Sequence, residues 1–298
     1  MERWSEAVCR EVRKTTGRAY HGKPTRKLCS GGCIHSAEIW QFENGERFFI
    51  KSNRFDLRNM FHQEAFALDA LRRANLLRIP EIYTLIEVPE LNLCGLVLEA
   101  IAVSPPQPHH WLRFGQQLAS LHLLNNETRY GWDSDNYIGA TSQKNLWSTS
   151  WPEFFAQHRI LYQVELLQAR GTISPSLLNR LQKLIDDMPV LLRSHSALPS
   201  LIHGDLWSGN VLFDQQGQAV LIDPASYYGD REAEWGMIEL FGGFPATFRE
   251  GYQAVYPLPE GWQVRSRIYR LYHLLNHWNL FGDSYLSTCH QLLQEVGY

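Results

Sequence analysis

Residues 201–213 read Leu201-Ile202-His203-Gly204-Asp205-Leu206-Trp207-Ser208-Gly209-Asn210-Val211-Leu212-Phe213. The apolar ends of this stretch predict two short strands, and the polar residues between them predict a loop. A turn follows at residues 214–217, and a third apolar run leads directly into Asp223. The carboxylates of Asp205 and Asp223 and the amide of Asn210 are therefore expected at the ends of adjacent short strands.

These three polar side chains point to a defined chemistry. Carboxylate and amide oxygens are hard ligands that suit Mg²⁺, which takes few protein ligands and completes its shell with phosphate oxygens and water. A carboxylate that does not bind the metal can accept the proton of an attacking hydroxyl group.

The first hundred residues are predicted to be mostly sheet. Strands are expected over residues 28–42 and 47–52, joined at Asn44-Gly45, the strongest short hairpin signal. A helix is expected over residues 59–74, and Glu64 falls on its apolar stripe, where an unpaired carboxylate is costly. Lys51, on the preceding strand, is the obvious partner for this carboxylate.

A glycine pair occurs in Ser30-Gly31-Gly32-Cys33-Ile34-His35. Gly31 and Gly32 would let backbone N–H groups approach phosphate closely, although a hairpin can contain such a pair for other reasons.

The chain changes character at Ser104-Pro105-Pro106-Gln107-Pro108, which predicts an extended connector. Helical patterns dominate beyond it, over residues 110–124, 151–169, 175–192, 231–240 and 262–281. We expect an α+β protein with two lobes: a β-rich nucleotide-binding lobe over residues 1–101 and an α-rich catalytic and substrate lobe over residues 102–298. The active site is expected in the cleft between them.

The pattern His-Gly-Asp-x₄-Asn followed by Ile-Asp resembles the catalytic and metal loops of the protein-kinase-like fold. Within that fold it is similar to the small-molecule branch, which includes aminoglycoside phosphotransferases and choline kinases. The resemblance implies that Asp205 is the catalytic base, that Asn210 and Asp223 hold Mg²⁺, and that Lys51, paired with Glu64, positions the phosphates of ATP. It also implies a hinge that contacts adenine, at Glu99-Ala100-Ile101.

Several stretches resemble the fructosamine kinase (ketoamine kinase) family in particular. They are residues 30–34, Met60-Phe61 before Glu64, residues 136–139, residues 151–155 followed by Arg159, residues 203–210 and residues 223–232. The resemblance implies ATP-dependent phosphorylation of the 3-hydroxyl of a ketoamine, free or protein-bound, after which the adduct breaks down and releases the amine. Ribulosamines are expected to be better substrates than fructosamines. Glu234-Trp235-Gly236-Met237 departs from the family pattern, which leads us to expect different packing of that helix.

Two alternatives remain open from the sequence. One is a phosphotransferase of the aminoglycoside or choline kinase type, because the acidic C-terminal half would suit a cationic ligand. The other is a nucleotide-binding pseudokinase, although Lys51, Glu64, Asp205, Asn210 and Asp223 are all present. Trp207 is a candidate for stacking on the sugar, or alternatively for bracing the loop from the core.

Composition excludes several classes of protein. The net charge is −3, and neither half has the basic surplus expected of a nucleic-acid-binding protein. No apolar run approaches the ~20 residues that a membrane helix needs, and the N-terminus lacks the apolar segment of a signal peptide. The 5 Cys are scattered without a Cys-x-x-Cys motif, which favours a reducing compartment. We therefore expect a soluble, cytoplasmic protein of undetermined oligomeric state.

Cys33 is a redox candidate because it follows the glycine pair, where backbone N–H groups and Lys51 would lower the pKa of its thiol. One hypothesis is that oxidation inhibits the protein through a disulfide between two chains. The alternative is an inert, small apolar residue.

Overall fold

A computed structural model describes residues 2–18, 20, 22–29, 34–124, 126–193 and 195–298. Its strands are β1 (Thr25–Leu28), β2 (Ser36–Gln41), β3 (Arg47–Arg54), β4 (Ile82–Val88), β5 (Leu93–Glu99), β6 (Asn136–Ile138), β7 (Thr141–Gln143), β8 (Pro199–Ile202), β9 (Val211–Phe213), β10 (Ala219–Leu221) and β11 (Tyr227–Asp230). Its helices are α1 (Glu2–Thr16), α2 (Arg58–Arg73), α3 (Pro108–Leu123), α4 (Trp151–Phe154), α5 (Tyr162–Ala169), α6 (Pro175–Leu191), α7 (Arg231–Phe241), α8 (Ala246–Val255), α9 (Trp262–Phe281) and α10 (Leu286–Glu295).

A five-stranded antiparallel sheet in the order β1-β2-β3-β5-β4 forms the centre of the first of two compact units. The hairpin predicted at Asn44-Gly45 joins β2 to β3, with Gln41 opposite Arg47. Gly45 adopts a positive φ of 85°, which only glycine takes without strain in such a turn. The hairpin register places Lys51 opposite Ala37, and β5 places Leu96 on its other side.

Helix α1 provides one side of the core of this unit. Its apolar residues recur at helical spacing and pack with residues of β2, β3, β4 and β5 into a single cluster, which contains Trp4, Val8, Val12, Trp40, Phe42, Phe48, Ile50, Ile86 and Val97. Burial of this apolar surface fixes the sheet, because each large side chain gains about 1.5–3 kcal/mol on leaving water.

The division of the chain differs from the single boundary predicted between residues 101 and 102. The first unit comprises Met1–Pro105 together with Leu212–Asp223, and the second comprises Pro106–Val211 and Pro224–Tyr298. Residues 212–223 return to the first unit because β10 pairs in parallel with the chain at Arg78, where the Leu221 N–H donates to the Arg78 carbonyl at 3.1 Å. The Ser104 N–H also donates to the Phe213 carbonyl, at 2.8 Å.

Helices dominate the second unit. Helices α3 and α8 approach closely at two glycines: a Cβ on Gly115 would lie 2.0 Å from the Phe248 carbonyl oxygen, and one on Gly251 would lie 2.0 Å from the Leu112 carbonyl oxygen. The helix predicted over residues 151–169 is continuous, but Phe155–Leu161 within it forms a π-helix. Strands β8 and β11 pair antiparallel, with Ile202 opposite Tyr227. Over the described ranges, none of the helices has the length and apolar character needed to cross a bilayer.

Candidate active site

The loop after β8 is built around Gly204, which has a positive φ of 83°. A Cβ at this position would lie 2.2 Å from the Ala225 carbonyl oxygen, so only glycine allows the two segments to approach so closely. The same two segments are joined by the Ala225 N–H, which donates to the His203 carbonyl at 2.9 Å. His203 itself is fully buried, and its Nδ1 accepts from the Asp205 N–H at 3.3 Å. His203 therefore supports the loop.

Glu234, on helix α7, holds this loop from behind. Its carboxylate accepts from the backbone N–H of His203 at 2.6 Å and from that of Gly204 at 3.1 Å. These charge-assisted bonds form where Glu234 is 1% exposed, so they satisfy two backbone donors that would otherwise be costly. The departure from the family pattern at residues 234–237 therefore does not disturb the packing of this helix, because its fourth residue anchors the loop.

Asn210 and Asp205 are brought together within the second unit. The Asn210 Nδ2 donates to the Asp205 carbonyl at 2.9 Å and to the Asp205 Oδ2 at 3.2 Å. The amide oxygen of Asn210 accepts no hydrogen bond from the described residues, and the side chain is buried. This amide oxygen is therefore available as a metal ligand, and it is of the type that Mg²⁺ prefers.

The predicted partner of Lys51 lies where the helical pattern placed it. The Lys51 Nζ donates to the Glu64 Oε1 at 2.7 Å, and the two side chains are 6% and 10% exposed. Burial would lower the pKa of Lys51, but the charges of Glu64 and Asp223 outweigh it and raise that pKa above its ordinary value. Lys51 is thus held as a cation inside the first unit.

The Lys51 ammonium group also forms an ion pair with the Asp223 carboxylate. It follows β10 with a positive φ of 56°, an uncommon conformation for a residue with a side chain. Its side chain is 45% exposed, so one carboxylate can contact Lys51 and still present oxygen to solvent. A carboxylate oxygen of this kind is also a ligand type that Mg²⁺ takes, and metal binding by Asp223 stays a prediction.

The predicted hinge begins where β5 ends, at Glu99. Its backbone N–H donates to the Glu81 carbonyl at 2.9 Å, and its carboxylate accepts from Arg78 at 2.5 Å. Arg78 also donates to Asp214 at 3.0 Å, so it bridges two carboxylates in a contact that the local sequence does not predict. Adenine contacts by Glu99, Ala100 and Ile101 remain a prediction. Because the Glu99 N–H already donates to Glu81, only the backbone carbonyl of Glu99 could contact adenine.

Trp207 is 37% exposed and lies beside Phe241, with ring centroids 6.2 Å apart. A Cβ at Gly209 would lie 2.3 Å from the Trp207 ring, so this glycine lets the indole fold over the loop. The exposure leaves part of the ring in reach of a ligand, and its role in substrate stacking stays a prediction. Gly31, Gly32 and Cys33 lie outside the described residues.

A buried lysine on an antiparallel sheet pairs with a glutamate on a helix, and a His-Gly-Asp loop is anchored in the helical unit. Together these features define a phosphotransferase of the protein-kinase-like fold. The model of the fructosamine kinase family matches residues 4–297, and the chain belongs to that family. The predicted family, fold class and enzyme class are confirmed.

Relatives and solved structures agree with this assignment. The chain is 38% identical to a probable ketoamine kinase of Synechocystis sp. over 97% of this chain and 96% of the relative. It is 37% identical to the chloroplastic protein-ribulosamine 3-kinase of Oryza sativa subsp. indica, over 89% of this chain and 76% of the relative. A structure from Haemophilus somnus, described as a candidate fructosamine-3-kinase, has a TM-score of 0.88 at 28% identity and covers 98% of this chain and 97% of its own. An aminoglycoside phosphotransferase, 12% identical with a TM-score of 0.62 over 96% of this chain and 97% of its own, shares the fold.

Proposed function

We propose that this protein transfers the γ-phosphoryl group of ATP to the 3-hydroxyl of a ketoamine, and that ribulosamines are preferred to fructosamines. The observation that carries the proposal is the arrangement around Asp205. Its backbone is fixed by the neighbouring Glu234 contacts, and its carboxylate is oriented by Asn210. This geometry supports a carboxylate that accepts the proton of an attacking hydroxyl at one defined position.

The remaining polar groups are proposed to bind and orient ATP. Lys51, kept cationic and fixed by Glu64, would bind the α- and β-phosphates as a positioned point charge. Asn210 and Asp223 would hold Mg²⁺, which neutralises phosphate charge when bound. The acceptor hydroxyl forms the new O–P bond as the bond to the leaving ADP oxygen breaks, and Asp205 takes the hydroxyl proton.

Deglycation would follow from the chemistry of the product. A phosphate on the carbon next to a carbonyl-bearing carbon is a good leaving group, so phosphorylation prepares the adduct for elimination and release of the amine. Trp207 supports a sugar acceptor, because its partly exposed ring offers an aromatic face. The names of the Synechocystis and rice relatives support the ketoamine class, and the rice name supports the ribulosamine preference.

A substrate panel tests the acceptor. With ATP and Mg²⁺, we expect ribulosyl-lysine to be phosphorylated fastest, fructosyl-lysine more slowly, and kanamycin and choline not at all, because acceptor choice is set by the pocket walls. Mass spectrometry of each product, with Asp205→Asn as the blank, gives the rates. Equal or faster phosphorylation of kanamycin or choline would overturn the substrate assignment and leave the phosphotransferase assignment intact.

A further inference from the structure

Arg159 is a fully buried cation in the π-helical segment Phe155–Leu161. Among the described residues no carboxylate lies within ion-pair distance of its guanidinium group, although a buried charge normally requires one. Its charge faces aromatic rings instead, with the guanidinium carbon 3.9 Å from the centroid of Tyr227 and 4.6 Å from that of Phe154. π-Helical turns interrupt helices frequently at functional positions.

The hydrogen bonds of Arg159 fix the orientation of a neighbouring amide side chain, that of Asn145. Its guanidinium group donates to the Lys144 carbonyl at 2.5 Å and to the Asn145 Oδ1 at 2.8 Å. A guanidinium group can only donate, so the Asn145 amide must turn its oxygen towards Arg159 and its NH₂ group away. That NH₂ group donates to the Asn136 Oδ1 at 2.8 Å.

The orientation of the Asn145 amide determines the orientation of the Asn136 amide. Because Asn136 presents its oxygen to Asn145, its own NH₂ group faces the Ser226 carbonyl and donates to it at 2.8 Å. Gln143 donates to the same Asn136 oxygen at 2.8 Å and to the Ala225 carbonyl at 3.0 Å.

Tyr272 closes the network by donating its hydroxyl to the Gln143 Oε1 at 2.7 Å. Burial raises the pKa of Tyr272, so the hydroxyl keeps the proton that it donates. Asn136, Gln143 and Asn145 are each at most 3% exposed, so water cannot replace a misdirected hydrogen bond.

The network ends on the segment that follows Asp223 in the chain. Ala225 and Ser226 both contact the catalytic loop: the Ala225 N–H donates to the His203 carbonyl at 2.9 Å, and the Ser226 hydroxyl donates to the same oxygen at 3.4 Å. The Ala225 carbonyl also lies against Gly204. Residues 225 and 226 therefore connect the amide network to the loop that carries Asp205.

We propose that Arg159 is a positioning residue, which sets the hydrogen-bond direction of the Asn145–Asn136–Gln143 network and thereby holds residues 225 and 226 against the catalytic loop. The proposal rests on the proposed function, since the position of Asp205 affects turnover only if Asp205 is the base.

The sharpest variant is Asn145→Asp. A carboxylate keeps the contact with Arg159 and pairs with its charge, so the fold is retained, but it has no NH₂ group for Asn136. Asn136 must then reverse, which points its oxygen at the Ser226 carbonyl. We expect kcat to fall by about tenfold with the KM for ATP within about twofold of wild type, and with no decrease in Tm. Arg159→Met should lower kcat at least as much, and Arg159→Lys should lower it less.

Asn279→Asp is the matched control, because Asn279 is a buried amide whose NH₂ group donates to Gln163, away from residues 225 and 226. Its kcat should stay within about twofold of wild type even if its Tm falls. Hydrogen exchange of peptides that cover residues 201–212 provides a second readout, and it should be faster in Asn145→Asp but not in Asn279→Asp.

Unchanged kcat and unchanged exchange in Asn145→Asp would overturn the inference. A fall in kcat that tracks Tm across all the variants would also overturn it, since it would show a purely structural role. If the wild-type protein phosphorylates no ketoamine, the proposed function fails, whereas the exchange comparison still decides the role of Arg159.

Discussion

Replacement of Asp205 by asparagine should lower kcat by about 10²–10⁴-fold and leave the affinity for ATP unchanged. The asparagine side chain has the same shape and keeps an oxygen that can accept from the Asn210 Nδ2, which lies 3.2 Å from Oδ2 in the native loop. It has no carboxylate to take the acceptor proton. Steady-state kinetics with a ketoamine gives kcat, and calorimetric titration with ADP and Mg²⁺ gives nucleotide affinity.

The matched control is Asp133→Asn, because Asp133 is an exposed loop residue of the same unit. It should behave as wild type in both measurements. A wild-type kcat in Asp205→Asn would remove Asp205 from the mechanism, and a parallel loss of ADP binding would show that the loop had collapsed.

The second large effect is expected at the buried ion pair of the first unit. Lys51→Met, which removes the phosphate-binding cation, and Glu64→Gln, which lets that cation shift by about 1 Å, should each lower kcat/KM for ATP by roughly 10²-fold. The double variant should be little worse than Lys51→Met alone, because Glu64 acts only by fixing Lys51. The double-mutant cycle would then report a coupling energy of about 2–3 kcal/mol.

An exposed ion pair on α2 supplies the comparison. Arg72 donates to Asp69 at 2.9 Å on the surface of the helix, and the same cycle with Arg72→Met and Asp69→Asn should give a coupling energy below about 1 kcal/mol. Additive losses at Lys51 and Glu64 would show that the two residues act independently and would refute the pairing.

Local sequence signals were sufficient for much of the fold. The Asn44-Gly45 turn fixed the hairpin, and the apolar periodicity placed Glu64 on the buried side of α2 because helical spacing is a local property. Helix α9 was predicted over residues 262–281 and is observed at Trp262–Phe281.

Non-local pairings were not predictable in this way. Residues 212–223 return to the first unit through contacts with Arg78 and Ser104, which are more than a hundred residues away in the chain. Helix α8 was missed because Gly251, which weakens a helical pattern, is needed for close packing on α3.

The site was predicted from side chains that carry chemistry, and the residues that support them were overlooked. Glu234 gave one usable signal, because it is an acidic residue with apolar neighbours inside a predicted helix. The same kind of signal identified Glu64. Arg159 was named in the sequence only through the family resemblance. Its role was not predictable, because its partners Asn145 and Tyr227 lie on separate segments that only the fold brings together.

The most direct test of the proposed reaction is the position of the phosphate in the product. The wild-type protein would be incubated with ATP, Mg²⁺ and ribulosyl-lysine carrying ¹³C at carbon 3 of the sugar, and the product followed by NMR. We predict a three-bond coupling between phosphorus and the proton on carbon 3, which only a phosphate on the 3-oxygen gives, followed by slow release of lysine. A phosphate on any other sugar oxygen, or no transfer to the ketoamine while ATP is bound, would contradict the proposed function.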